Sequence, residues 1–158
     1  MTLDILEDAM RRHEVRTEIE IAAPPEQVWH HLTDLAAYAG WNPFITSAAG
    51  TVAVGARLTL RMEPPGGRAM RFRPTVTQVE PGRVLEWLGR LGVSGLFDGR
   101  HRFELQPTAA GTRLVHRESF RGLLVRAMRG SLDGPTRQGF EAMNAALAEQ
   151  ALGDRATA

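Results

Sequence analysis

A chain of 158 residues, 43% of them hydrophobic, is long enough for one domain with its own core. Its 19 basic side chains are all arginine and face 18 acidic ones, so the net charge of +1 points to no nucleic-acid or acidic partner, and the lack of lysine excludes Schiff-base chemistry and a phosphate-loop lysine. With no cysteine, thiolate nucleophiles, disulfides and cysteine-bound metals are excluded as well.

Asp4, Glu7 and Asp8 interrupt the first apolar residues, and no basic segment precedes a hydrophobic run, so no signal peptide is expected. No segment has the length of a membrane span, so stable membrane insertion is not expected and a cytoplasmic location is the default. Residues 3–12 fit either a short helix with Leu3, Leu6 and Met10 on one side or a frayed end, and 1–14 reads as an extension. Val15, Thr17, Ile19 and Ile21 then alternate with Arg16, Glu18 and Glu20, the pattern of a half-buried strand. Ala22-Ala23-Pro24-Pro25-Glu26 stops that strand and opens a helix with Val28, Trp29 and Leu32 as its apolar stripe. Asp34 can cap a second short helix through Tyr38, closed by Gly40, and Asn42 before Pro43 reads most simply as a turn residue.

Six strands follow near 44–53, 56–63, 69–79, 83–90, 97–106 and 111–120, separated by Gly- and Pro-rich turns. Alternation turns Leu58, Leu60, Met62, Met70, Phe72, Pro74, Val76, Leu85, Trp87, Phe97, His101, Phe103, Leu105, Leu114, His116, Glu118 and Phe120 inward and arginines outward. Gly89 and Gly99 also fall on inward faces at one end, where filling is expected to be incomplete. Hairpin parity puts the turns at 64–68 and 90–96 and the exit at 121–133 at that same end. The apolar exit segment fits a short helix over the sheet edge, a lid over a cavity, or a patch for a membrane or a second subunit. A last helix runs from Pro135 to about Leu152, with Gly134 and Pro135 at its start, Phe140, Met143, Leu147 and Ala151 on one face, and Gly153 and Asp154 at its end. The expected fold is α+β: a seven-stranded curved antiparallel sheet around a long C-terminal helix, with two short helices after strand one. It forms a single domain over 15–153 with a tail at 154–158.

The run Ile19-Glu20-Ile21-Ala22-Ala23-Pro24-Pro25-Glu26-Gln27-Val28-Trp29, then Leu32-Thr33-Asp34 and Trp41-Asn42-Pro43-Phe44-Ile45, resembles the opening of the polyketide cyclase/dehydrase branch of the SRPBCC superfamily, the START-related, birch-pollen-allergen-like group. Phe103-Glu104-Leu105, Gly111-Thr112-Arg113-Leu114 and Gly139-Phe140-Glu141-Ala142-Met143-Asn144 extend the likeness over roughly residues 15–152. The resemblance implies a helix-grip fold with a deep apolar cavity between the helix and the sheet. It also implies lipid or other hydrophobic-ligand binding, or polyketide cyclisation or dehydration. These are scaffold motifs, informative about fold and little else.

Three ionisable groups on the inward face, His101, His116 and Glu118, are the candidate catalytic residues. They form either a mutually bonded buried cluster or a group that orients a ligand or moves protons. Asn144, between Phe140 and Leu147, either borders the stripe and sees solvent or backbone, or reaches the same space. The candidate ligand-binding residues are Trp41, Phe44, Leu60, Phe72, Trp87, His101, Phe103, His116, Glu118, Phe120, Phe140, Met143 and Asn144. Two histidines and a carboxylate could in principle make a facial triad, but the strand pattern already accounts for them, and no metal or cofactor is expected. Three functions stand: binding of a hydrophobic small molecule (lipid, fatty acid or polyketide-like), a cyclase or dehydratase, and a non-enzymatic homodimer or membrane-docking module using 121–132.

Overall fold

In the computed structural model, which describes residues 2–156, β1 (Arg12–Ile21) follows a nine-residue helix, α1 (Thr2–Met10). Next come α2 (Pro25–Thr33), a short turn of helix and α3 (Tyr38–Trp41). The strands are β2 (Ile45–Ala49), β3 (Thr59–Met62), β4 (Met70–Phe72), β5 (Thr75–Glu80), β6 (Val84–Arg90), β7 (Asp98–Thr108) and β8 (Gly111–Arg121). They form a five-stranded antiparallel sheet in the order β1-β8-β7-β6-β5 and a three-stranded one in the order β2-β3-β4.

One expected strand, 69–79, is therefore two. Pro74 has no N–H to give a ladder, and the chain turns a corner there. The sheets stay joined at that corner: Arg57 bridges Thr75, Leu58 N donates to Pro74 O (2.8 Å) and Val76 N to Ala56 O (2.8 Å). Eight strands in two linked sheets thus replace the expected seven in one, while the α+β helix-grip class stands.

The last helix also starts differently. Helical backbone begins in α4 (Val125–Ser131), passes through a π turn (Leu132–Thr136) that contains Pro135, and continues as α5 (Arg137–Ala156). A π turn shifts the bonding pattern by a residue, so a proline without an N–H is housed inside the run instead of opening it. Asp133 in that turn is held to β1 by His13 (Nε2···Oδ1 2.7 Å). At the far end Gly153 does not stop α5, because an interior glycine costs a helix only about 1 kcal/mol. Asp154 there bonds His31 of α2 at 2.7 Å, tying the last turns down. Regular structure therefore extends past both ends of the 15–153 span.

Phe140, Met143, Leu147 and Ala151 of α5 are fully buried against the sheet. Close approach is possible because residue 139 is glycine; a Cβ there would collide with the Phe44 ring. On the outer face Glu86 is buried among partners. Burial alone would raise its pKa, but Arg100 (2.7 Å), Arg102 (2.9 Å) and Thr77 (2.8 Å) hold the carboxyl below its usual range. No helix among the described residues is long and apolar enough to cross a membrane.

Candidate functional site

Under α5 the interior is filled with rings. Phe140 stacks on His116 (centroids 4.0 Å, planes 9° apart), Phe103 lies 4.4 Å from His116, and Trp87 stacks on His101 at 5.0 Å. The space that remains lies beyond this stack, at the end of the sheet where hairpin parity places the long loops. It is a pocket of about 280 Å³, bounded by the β3–β4 hairpin, the β6–β7 loop, α4 and the π turn. Its floor contains the cross-strand pair Gly89 and Gly99, the two inward positions without side chains.

Of the thirteen candidate ligand-binding residues, Phe44, Phe72, Trp87, Glu118 and Phe120 line this pocket. Leu60, His101, Phe103, His116, Phe140 and Met143 are fully buried behind it, with Asn144 nearly so, and Trp41 packs edge-on against Tyr38. Thus the cavity that the resemblance implies between helix and sheet is displaced toward the mouth, because large rings occupy the centre. Met62, Arg68, Met70, Leu91, Phe97, Met128 and Leu132 also line it; alternation turns Met62, Met70 and Phe97 inward, while the others carry only their place in the mouth-end segments as a signal in the sequence. The exit segment resolves in the same way: α4 covers the sheet end and supplies Met128 to the pocket, while Leu123 and Leu124 stay exposed. A larger open groove of about 790 Å³ is lined by residues of β1, β6, β7 and β8 and shares Arg90 and Phe120 with the mouth pocket; its arginines are already matched to carboxylates: Arg12 and Arg121 to Asp8, Arg90 to Asp98, Arg100 to Glu86.

The three inward ionisable groups are connected. Strand pairing sets His101 opposite Glu118 and Phe103 opposite His116 on β7–β8, and Thr17 opposite His116 on β1–β8. Thr17 Oγ1 donates to the His116 carbonyl (3.1 Å), so it accepts from Asn144 Nδ2 (2.8 Å). That orients the amide: Asn144 Oδ1 accepts the proton of His116 Nδ1 at 2.7 Å. Asn144 therefore faces inward, and the alternative of a solvent-facing side chain is corrected by its two buried partners. His116, protonated at Nδ1, offers Nε2 as an acceptor, and His101 Nε2 donates to it at 2.6 Å. His101 Nδ1 is left facing Glu118 Oε2 at 3.2 Å, within ion-pair range but off the line of a hydrogen bond. The other carboxyl oxygen, Oε1, has no hydrogen-bond partner among the described residues, and the side chain is 13% exposed at the pocket wall. No group of three or more His, Asp or Glu among the described residues is placed to hold a metal.

Burial, reinforced by the adjacent His101, depresses the His116 pKa well below its ordinary 6.5, against a smaller opposite pull from Asn144. Below about pH 6.5 the unfolded chain then binds a proton that the folded chain refuses, so stability falls as pH falls, by at most about 1.4 kcal/mol per pH unit for this group. Urea titrations at pH 7.5 and 5.5 should show wild type losing on the order of 1 kcal/mol more than His116→Phe over that interval. Equal losses would contradict a buried neutral His116.

The family model described as polyketide cyclase/dehydrase and lipid transport matches residues 12–156. The chain belongs to this family. It superposes on the di-domain ARO/CYC StfQ from the steffimycin biosynthetic pathway (TM-score 0.76, 15% identity, 98% of this chain and 55% of that one). A point mutant of Thalictrum norcoclaurine synthase, in complex with a transition-state analogue, is similar at TM-score 0.71 and 13% identity, over 91% of this chain and 96% of the other. A Mesorhizobium loti protein aligns at TM-score 0.66 and 24% identity, over 90% and 98%. At these identities the likeness is one of fold. No match is found among curated protein sequences.

Proposed function

We propose that this chain binds a small, largely apolar molecule in the mouth pocket, with the ligand's one polar group turned to Glu118. The observation that carries this reading is a wall of aromatic and methionine side chains broken on the inside by a single carboxylate. Small-molecule sites are built in this way, with few polar groups placed to orient an apolar body. Size narrows the class. At roughly 30 Å³ per methylene-sized group, by analogy with the liquid volume of a water, 280 Å³ takes about nine such groups, which suits a one- or two-ring compound or a short chain better than a long acyl tail. The family description, which names polyketide and lipid ligands, supports a hydrophobic guest.

A second reading, acid–base chemistry of the cyclase or dehydratase kind on that same guest, is favoured by the contact of His101 Nδ1 with Glu118 Oε2 at 3.2 Å on the pocket wall. In it Glu118 touches the ligand, His101 supplies or takes up the proton behind it, and His116 and Asn144 hold the His101 ring in place.

Native mass spectrometry of the purified protein, followed by titration with a panel of naphthalene-sized and long-chain lipophiles, tests both. Ring compounds are expected to bind at one site and long chains more weakly. A failure of every lipophile to bind would overturn the proposal, while a mass change in a bound compound that disappears in Glu118→Gln would support the chemical reading.

A further inference from the structure

Resting on that binding reading, we propose that Gly99 decides which ligands the pocket accepts. By carrying no side chain, it lets the Glu118 carboxyl lean across β7, one oxygen toward His101 and the other free for a hydrogen-bond donor on an otherwise apolar guest. Gly99 lies on β7 between Gly89 on one neighbouring strand and Phe120 on the other, and all three line the pocket. A Cβ built on Gly99 would overlap Glu118 Oε1, with Glu118 Cδ at 3.3 Å and the edge of the Phe120 ring at 3.5 Å. The backbone here has no positive φ, so nothing in the chain conformation calls for glycine. What a side chain would displace is the end of Glu118 alone, a flexible group that can move without disturbing the sheet.

The position is therefore one where the smallest substitution shifts a carboxylate without deleting it. Two features make the free oxygen a receptor for a neutral donor, such as a ring hydroxyl, rather than for a cation. Arg68 in the lining brings positive charge to the same pocket, and the wall around the carboxyl is mostly aromatic and aliphatic, a poor setting for a desolvated cation. Polar groups elsewhere on the lining are few, so a donor on the ligand has Glu118 as its strong acceptor.

The test compares 2-naphthol with 2-methoxynaphthalene, which match in shape but differ in the donor, by calorimetric titration of the full chain. In wild type the hydroxyl compound should bind about tenfold or more tightly than its ether, the order expected of a hydrogen bond to a charged group. In Gly99→Ala the ratio of the two affinities should fall toward one, as it should in Glu118→Gln, which keeps the side-chain shape. Equal binding of both compounds to wild type would overturn the donor-recognition proposal and leave hydrophobic binding intact. A wild-type preference that survives in Gly99→Ala, or a Gly99→Ala chain that no longer folds, would overturn the role of Gly99. Binding of neither compound to wild type would remove the pocket reading itself.

Discussion

Phe140→Ala is expected to lower the free energy of unfolding by about 3–5 kcal/mol, the usual cost of deleting a buried aromatic ring. That is a large part of the roughly 5–15 kcal/mol that holds an average domain together. The ring is fully buried and touches each layer of the fold. It packs edge-on against Phe44 at 5.5 Å, lies flat on His116 at 4.0 Å and sits 5.1 Å from His101. Its loss would leave a void between α5 and the sheet that Gly139 cannot fill, because the closest side chain, Phe44, is already in contact with the helix there. It would also open a route for water to His116, whose proton arrangement depends on exclusion from solvent. Urea-induced unfolding should show the full loss in Phe140→Ala and a smaller one in Phe140→Leu. A change below about 1 kcal/mol in the alanine variant would mean that the stack does not pack the interior.

The same stack explains which parts of the site could be read from sequence. Period-two alternation is a local property, and it is enough to turn His101, His116 and Glu118 toward one face. Whether those groups meet depends on strand register, which pairs His101 with Glu118 and leaves His116 to reach His101 diagonally. Asn144 was ambiguous on the helix because its position borders the apolar stripe. Its orientation is settled by Thr17, 127 residues away in the chain, and no pattern within the helix contains that information. Period-two alternation runs straight through Pro74 and helix-start rules put Pro135 at an N-terminus, yet the first splits a strand where a ladder N–H is missing and the second rides inside a π turn. Hairpin parity located the open end and the glycine pair on its floor. The size of the opening was not legible, since it depends on how Trp87, Phe103, Phe140 and the two imidazoles fill three-dimensional space behind it.

Gly89→Leu carries the second large effect, this time on binding. A Cβ on Gly89 would meet only Pro74 Cβ at 3.8 Å and Gly99 O at 4.0 Å, which are ordinary contacts, so the strand accepts a side chain and points it into the pocket. Four added carbon-sized groups occupy roughly 120 Å³ of the 280 Å³ available, at about 30 Å³ each. A ring compound that fills the wild-type pocket then has no room beside them, and its affinity should drop by at least about tenfold, the cost of losing about two buried methylene contacts. Little change is expected in stability, because no existing contact is broken.

Titration of 2-methoxynaphthalene into wild type and Gly89→Leu, with thermal melts of both chains, therefore tests most directly whether this opening is where the guest sits. Saturable binding to wild type that is lost in a normally folded Gly89→Leu chain is the expected result; the same affinity in both chains would contradict it.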